Sequence, residues 1–231
     1  MFAQPAVRCF RSHLVRRILA QTGAGPHSRV LSLGCGIGDT ELLLAPHVEK
    51  LTGLDISSNA IRQANTDAQR LGLLNSSFVE GTAEQVAGQE FDVVLAIFFL
   101  HHLLDENFRE IPRQVLKLLA PGGVFYSLDP SRNRLSGKIG EILVPHLLKK
   151  YQSPQERQLE PAATAAAFRA QGFDAVDFMY DFTSTPAAGL FPRWRAGYRM
   201  ARLLDEAILR VPWVRNWGSN FEIVARKREA V

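Results

Sequence analysis

Short apolar runs alternate with longer segments, in which apolar residues recur every three or four positions, between residues 29 and 129. Apolar runs bounded by turns are typical of buried strands, and the spaced pattern is typical of amphipathic helices. This alternation predicts a parallel sheet covered by helices on both faces, and the nearly continuous apolar strands agree with burial on both sides. The predicted strands are 30–34, 51–55, 77–80, 91–97 and 123–129, and the predicted helices are 39–46, 58–72, 83–87 and 105–119.

The two ends of the chain follow a different pattern. Phe10, Leu14 and Ile18 recur every four residues and predict an N-terminal helix over 5–21. Toward the C-terminus an alanine-rich segment predicts a further helix. The remaining predicted elements are this helix over 161–171 and strands over 173–183 and 221–227.

Two insertions interrupt the alternation at residues 130–160 and 186–217. The second contains a predicted helix over 194–209, in which arginines occupy much of the surface. Its apolar face is predicted to carry Trp194, Tyr198, Ala201, Leu204 and Ile208. A chain of 231 residues supports one good core and is short for two. We therefore expect a single domain, 1–231, with an N-terminal segment at 1–29 and a central part at 30–129.

The net charge of +4 conceals basic ends around an acidic centre. Residues 1–29 carry five basic and no acidic side chains, 30–130 carry six basic and thirteen acidic, and 185–231 carry nine basic and four acidic. Basic ends fit an anionic substrate or peripheral contact with a membrane, and ordinary solvated arginines on amphipathic helices are the alternative that we favour. No apolar run approaches the ~20 residues of a membrane span, and two cysteines make no disulfide framework, so we expect a cytoplasmic protein.

The first predicted strand runs directly into glycines 34, 36 and 38, and a helix-like run follows at once. Glycine lets a ligand approach the backbone closely, and a helix start offers N–H groups to an anionic ligand. The spacing is G-x-G-x-G, so the G-x-G-x-x-G fingerprint of dehydrogenases is absent. Asp55, at the tip of the second strand, is placed to accept hydrogen bonds from ribose hydroxyls. These features predict a nucleotide-type cofactor site.

Five segments, in this order and spacing, resemble the class I S-adenosylmethionine-dependent methyltransferases, most closely the small-molecule enzymes of the methyltransferase type 11 kind. The matching segments are 30–40, 51–57, 78–84, 91–97 and 119–125, and 221–227 is similar to the last strand of that family. The resemblance implies an α/β fold with a doubly wound, mostly parallel, seven-stranded Rossmann-like sheet, an N-terminal helix and inserted helical lid segments.

The resemblance also implies S-adenosylmethionine as the cofactor and S-adenosylhomocysteine as its product, with no metal. The glycine turn would take the methionine end, Asp55 the ribose, and Ile56 one face of the adenine. Thr82 and Ser32 depart from the family pattern, which often has an acid at each position. The residues assigned to the cofactor are Gly34, Cys35, Gly36, Gly38, Asp55, Ile56, Thr82, Ala83, Glu84 and Ala96.

Methyl transfer needs alignment and the exclusion of water, and a hydroxyl acceptor also needs a base, most often histidine. His101 and His102 follow the fourth strand, at the edge where ligands bind in open α/β sheets, and are the candidate catalytic residues. Helix capping or packing is the alternative role for both. Zinc is not expected, because neighbouring histidines are expected to point apart and no cysteine or acid cluster completes a set of ligands.

The acceptor is expected to be a small molecule, apolar or lipid-like, bound by the N-terminal helix and the insertions. The aromatic residues expected to line such a lid are Tyr151, Trp194, Tyr198, Trp213 and Trp217. The alternative function is a catalytically inactive, cofactor-binding interaction module. No nucleic acid is expected, because enzymes that methylate amino groups of nucleic acids usually carry an Asn/Asp-Pro-Pro-aromatic motif, and Phe98-Phe99-Leu100-His101 stands at that place.

Overall fold

A computed structural model describes residues 4–134 and 157–228. The predictions for Tyr151 and for most of the 130–160 insertion lie outside the described residues. In the described part no helix combines the length and the apolar character needed to cross a membrane.

The described strands form one seven-stranded sheet in the order β3-β2-β1-β4-β5-β7-β6. β1 to β5 are parallel, whereas β7 is antiparallel to both β5 and β6. The predicted doubly wound, mostly parallel, seven-stranded fold is thereby confirmed. The strands are β1 (Arg29–Leu33), β2 (Lys50–Asp55), β3 (Ser76–Glu80), β4 (Phe91–Ile97), β5 (Leu119–Pro130), β6 (Phe173–Asp181) and β7 (Asn220–Lys227).

Helices cover both faces of the sheet, and short 3-10 turns follow several strands. The helices are α1 (Pro5–Thr22), α2 (Glu41–Leu44), α3 (Ser58–Arg70), α4 (Asp105–Leu118), α5 (Pro161–Ala170), α6 (Ser184–Leu190) and α7 (Arg195–Ile208). The 3-10 turns are Ala45–His47, Ala83–Val86, Leu100–His102 and Arg215–Trp217.

Successive residues of the central strands face opposite layers of the core, because side chains alternate across a strand. Val93 and Leu95 of β4 belong to the layer that includes α1 and α3, and Val94 and Ala96 belong to the layer that includes α4 and α5. Burial on both sides explains why the sequence of these strands is apolar at nearly every position.

Two of the differences between the structure and the predicted elements have a clear physical reason. The helix predicted over 39–46 is α2 followed by a 3-10 turn, because Pro46 has no N–H to continue the α-helical hydrogen bonds. The strand predicted to reach residue 183 ends at Asp181, whose buried carboxylate accepts a hydrogen bond from the Thr185 N–H at 2.6 Å. Asp181 thereby anchors the start of α6, a helix that was not predicted.

Candidate active site

The glycine turn after β1 has left-handed backbone conformations at all three glycines, with φ of 65° at Gly34, 52° at Gly36 and 75° at Gly38. A Cβ at Gly34 would lie 2.2 Å from the Phe99 ring, and one at Gly38 would lie 3.1 Å from the Phe78 ring. A Cβ at Gly36 would meet no protein atom within 4 Å. Gly34 and Gly38 therefore permit close packing, whereas Gly36 borders open space in which a ligand can reach the backbone.

Asp55 connects the end of β2 to this turn. Its Oδ2 accepts a hydrogen bond from the Gly36 N–H at 2.8 Å, and its Oδ1 accepts one from the Ser57 N–H at 2.9 Å. The carboxylate is half-buried, and each oxygen has a further lone pair to offer to a ribose hydroxyl. Ile56 beside it is 79% exposed and presents an apolar surface, and its contact with an adenine ring stays a prediction. These groups, together with the open space at Gly36, fit the cofactor implied by the sequence.

Glu41 is a residue of this site that was not predicted. The Ser32 hydroxyl donates a hydrogen bond to Glu41 Oε1 at 2.7 Å, and both residues are buried beneath the glycine turn. Burial raises the pKa of the Glu41 carboxyl, while the Ser32 hydrogen bond and the charge of Arg11 oppose the rise. An acid from α2 therefore lies next to Ser32, where the family often has an acid in the strand itself. A glutamate directly after a glycine turn was the available signal.

The turn after β3 lies next to the end of β2, because the Gly81 N–H donates to the Asp55 carbonyl at 2.9 Å. Gln85 Oε1 accepts a hydrogen bond from the Thr82 N–H at 2.6 Å and fixes the start of the 3-10 turn. Thr82 and Glu84 are exposed and Ala83 is half-buried, so the turn presents polar groups at the edge of the site. Their contact with adenine stays a prediction.

Two residues assigned to the cofactor are buried. Ala96 is fully buried within β4, and its assignment stays a prediction. Cys35 is buried beside Gly53, and its backbone N–H donates to the Leu54 carbonyl at 3.0 Å. Burial raises the pKa of the Cys35 thiol, which agrees with a packing role for its side chain and not with a nucleophile.

His101 and Asp129 form a buried pair at the carboxyl ends of β4 and β5. His101 Nδ1 lies 2.8 Å from Asp129 Oδ1, and the His101 backbone N–H donates to the same oxygen at 3.2 Å. Burial raises the pKa of the Asp129 carboxyl, and its interactions with His101 work against the rise. The backbone carbonyl of His101 in turn accepts a hydrogen bond from the Arg157 N–H at 2.7 Å. The ring of His101 is therefore fixed in one orientation.

His102 is exposed, and its ring centroid lies 3.9 Å from that of His101 at an interplanar angle of 39°. The expectation that the two histidines point apart is therefore wrong, because the tight 3-10 turn brings their rings together. Within residues 4–134 and 157–228, no three or more His, Cys, Asp or Glu side chains are grouped to hold a metal ion.

Helix α1 lies against the same edge of the sheet. The Phe10 ring lies 6.1 Å from the Phe98 ring, and the Arg11 guanidinium lies 5.8 Å from the Phe98 centroid. Arg11 Nη1 also donates to the Thr40 hydroxyl at 3.0 Å. Phe98 has a φ of 53°, a strained value for a phenylalanine, and such strain is concentrated at functional sites.

Comparison with known proteins agrees with this geometry. The family model described as a methyltransferase domain matches residues 30–123. Trans-aconitate 2-methyltransferase of Rhodopseudomonas palustris is 32% identical over 211 residues, which are 90% of this chain and 75% of that protein. Ubiquinone biosynthesis O-methyltransferase of Bordetella avium is 29% identical over 152 residues, 63% of this chain and 62% of that protein. The matched stretches cover from 40% to 75% of the length of such curated relatives.

The fold has solved counterparts as well. Magnesium protoporphyrin IX methyltransferase from Synechocystis, crystallised with bound S-adenosylhomocysteine, has a TM-score of 0.65 at 15% identity, covering 96% of this chain and 84% of that one. The relatives named here are all methyltransferases, and they give no support to the alternative of an inactive interaction module. The fold, the glycine turn with Asp55 and the relatives agree, and the chain belongs to the class I S-adenosylmethionine-dependent methyltransferases.

Proposed function

We propose that this methyltransferase transfers a methyl group to a hydroxyl oxygen of an apolar small molecule. The observation that carries the proposal is the buried pair of His101 and Asp129, next to the aromatic residues Phe98 and Phe99 at the carboxyl edge of the sheet. A hydroxyl needs a base as it becomes methylated, and a histidine fixed by a carboxylate is a suitable base.

Several residues of the edge would hold the cofactor. Asp55 would accept hydrogen bonds from the ribose, Ile56 would cover the adenine, and the backbone at Gly36 would take the methionine end. When bound, S-adenosylmethionine supplies an electrophilic methyl group on a positively charged sulfur. The chain itself needs to position the acceptor oxygen in line with that methyl group and keep water out, a task that we assign to α1, the helix beside Phe98.

The buried pair of His101 and Asp129 would accept the proton of the acceptor hydroxyl group. Asp129 accepts the hydrogen bond of His101 Nδ1–H, which leaves Nε2 as the basic nitrogen of the ring. During transfer to a hydroxyl group, His101 Nε2 would accept the proton as the O–H bond of the acceptor breaks, so that the acceptor oxygen is left free to bond to the methyl carbon. The imidazolium that results is stabilised by the Asp129 carboxylate, and water takes up the proton after product release.

The half-buried rings of Phe98 and Phe99 favour an apolar or aromatic acceptor, and an O-methyltransferase of ubiquinone biosynthesis is among the relatives. A carboxylic acid is the second candidate, because the relative with 90% coverage of this chain is named for trans-aconitate. Arg11 would hold the carboxylate, since its buried Nε has no hydrogen-bond partner among the described residues.

Calorimetric titration with S-adenosylmethionine and S-adenosylhomocysteine, with NADH as the control, tests the cofactor site. Methyl transfer from labelled cofactor to a panel of catechols and prenylated phenols, dicarboxylic acids and alkyl amines then tests the acceptor. Labelling of the phenols alone supports the proposal. Labelling of the acids alone favours the second candidate, and labelling of amines alone contradicts both.

A further inference from the structure

An exposed apolar face runs along α7. It consists of Ala196, Met200, Leu203, Leu204 and Ala207, which recur at helical spacing and are all exposed. The three large side chains among them are 52% to 68% exposed. Single exposed apolar residues are ordinary, whereas a contiguous row of them marks an interaction site. We refer to these five residues as the α7 face.

Aromatic side chains extend the α7 face at both ends. Phe191 and Trp194 precede the helix, and their ring centroids lie 6.1 Å apart in an edge-to-face pair. Trp213 follows the helix and is 74% exposed. Exposed aromatic residues at the ends of an apolar surface are typical of the boundary between water and lipid.

The charges of α7 are arranged so that the outward surface is positive. Arg195 and Arg199 follow one flank of the α7 face, and neither forms an ion pair with the described residues. Of the two acids in the helix, Asp205 is fully buried, and Glu206 lies 3.5 Å from the Arg202 guanidinium. Two arginines on the flank of the face are therefore available to an anionic partner.

We infer that the α7 face, with its arginine flank, binds the surface of an anionic lipid bilayer. An amphipathic helix of this kind lies in the plane of the interface, with its apolar side among the acyl chains and its arginines extended to the lipid phosphates. A second copy of this chain fits less well, because a two-fold interface would bring the same basic surface of both copies together.

The position of α7 in the fold determines which part of the protein would lie next to the bilayer. Asp205 accepts hydrogen bonds from the Thr183 and Ser184 N–H groups at 2.9 and 2.8 Å, which holds α7 at the end of β6. The Pro192 carbonyl accepts one from the Ala6 N–H at 2.9 Å, at the start of α1. A bilayer on the α7 face would therefore lie beside α1, the helix that contacts the candidate active site. The inference does not depend on the proposed acceptor, since no cofactor residue belongs to the α7 face.

Cosedimentation with vesicles tests the inference, and it requires neither cofactor nor acceptor. The purified protein is mixed with vesicles of phosphatidylcholine alone or with added phosphatidylglycerol, at low and high salt. We expect binding to the anionic vesicles that weakens with salt. Arg195→Gln with Arg199→Gln should weaken this binding about 30-fold, at ~1 kcal/mol for each arginine near an anionic surface and 1.4 kcal/mol for each tenfold change.

Matched variants separate the α7 face from the rest of the surface. Met200→Glu with Leu203→Glu should weaken vesicle binding at least about tenfold, whereas the exposed pair Leu71→Glu with Leu74→Glu, at the same spacing, should leave it unchanged. The exposed pair Arg109→Gln with Arg113→Gln is the control for the arginines.

Absence of binding to anionic vesicles overturns the inference, as does an equal loss of vesicle binding in the control pairs. A dimer in solution that depends on Met200 and Leu203, without vesicle binding, would assign the α7 face to a second copy and overturn it too.

Discussion

Asp129 Oδ1 accepts from both the ring Nδ1–H and the backbone N–H of His101, so one buried oxygen fixes the side chain and the main chain of the same residue. The second oxygen, Oδ2, is buried without a hydrogen-bond partner among the described residues. Burying a carboxylate costs free energy of folding unless the carboxylate is hydrogen-bonded or paired with a charge. Here the hydrogen bond from Nδ1–H selects the His101 tautomer in which Nε2 is basic. The pair is therefore the first target for mutation.

His101→Gln should lower the single-turnover rate of methyl transfer by about 10²–10⁴-fold, the usual contribution of a positioned base. Affinity for S-adenosylhomocysteine should stay unchanged, because no cofactor contact is removed. Asp129→Asn should also lower the rate and change its pH profile. His47→Gln is the control, since His47 also lies in a 3-10 turn and is exposed. A full rate for His101→Gln would restrict His101 to a structural role.

Asp55→Asn should weaken the binding of S-adenosylhomocysteine by about 1.5–3 kcal/mol, the range for hydrogen bonds to a charged group. The physical reason is the loss of the carboxylate that holds the Gly36 N–H and faces the proposed ribose position. Asp92→Asn is the matched control, because Asp92 accepts a hydrogen bond from the Arg29 N–H at the opposite edge of the sheet. Calorimetric titration of both variants with S-adenosylhomocysteine tests this prediction. Equal affinities of Asp55→Asn and Asp92→Asn would contradict the assignment of Asp55 to the cofactor site.

Gly36→Ala distinguishes a ligand position from a structural one. Gly36 and Gly72 have φ values of 52° and 68°, and a Cβ at either would meet no protein atom within 4 Å. Alanine should therefore cost each site about 1–2 kcal/mol of stability through the left-handed backbone alone. Only Gly36→Ala should reduce affinity for S-adenosylhomocysteine, because its methyl group would enter the proposed cofactor space. Equal affinity in Gly36→Ala and Gly72→Ala would show that this space is not used.

His13 makes stability depend on pH. Burial, and to a smaller extent the charges of Arg202, Arg16 and Arg17, together lower the pKa of His13 to about 4. The unfolded chain, with a histidine pKa of about 6.5, binds more protons than the folded protein between these values. Stability from neutral His13 is therefore fully present above about pH 6.5 and is lost as the pH falls toward about 4.

Urea unfolding of the wild type and of His13→Gln at several pH values checks this expectation. The free energy of unfolding of the wild type, relative to the variant, should decrease as the pH is lowered across that window. His27→Gln, at an exposed histidine, serves as the control. Parallel pH curves for wild type and His13→Gln would contradict the prediction.

Arg17→Met should destabilise the protein by about 3 kcal/mol, because it leaves a buried carboxylate without its cation. Arg17 Nη2 donates to Glu222 Oε2 at 2.7 Å, and the Tyr126 hydroxyl donates to Glu222 Oε1 at 2.5 Å. Adding Glu222→Gln should restore part of the loss, and Arg16→Met, at an exposed position of the same helix, should have little effect. A loss in Arg17→Met that Glu222→Gln does not reduce would point to lost packing instead of charge.

The alternation of strands and helices along the chain and the position of the glycine turn were predictable, because each depends on local patterns. Ser57 illustrates this: its hydroxyl accepts a hydrogen bond from the Ala60 N–H at 3.3 Å, as is typical of a serine directly before a helix. Ile61 and Ala64 of that helix are buried, as their spacing predicts. Local rules suffice where the residues that decide a feature are neighbours in the chain.

Contacts between distant residues were not predictable in the same way. The predicted apolar face of the second insertion grouped Tyr198 with Leu204, yet Tyr198 is buried and Leu204 is exposed. The side of α7 that packs on the protein includes Asp205, a buried carboxylate that periodicity alone assigns to solvent. Glu41 and Asp129 escaped notice for a related reason, since their roles depend on partners, Ser32 and His101, brought to them by the fold.

The ion pair of Arg17 and Glu222 joins residues 205 positions apart, in the first helix and the last strand. During synthesis on the ribosome, α1 emerges early but cannot form this pair until β7 has been made and inserted between β5 and β6. The helix that carries Phe10 and Arg11 to the candidate active site is thus among the last parts of the fold to be secured. A nascent chain that stops short of Glu222 would have the glycine turn and Asp55 without an α1 that is fixed beside Phe98 and Thr40.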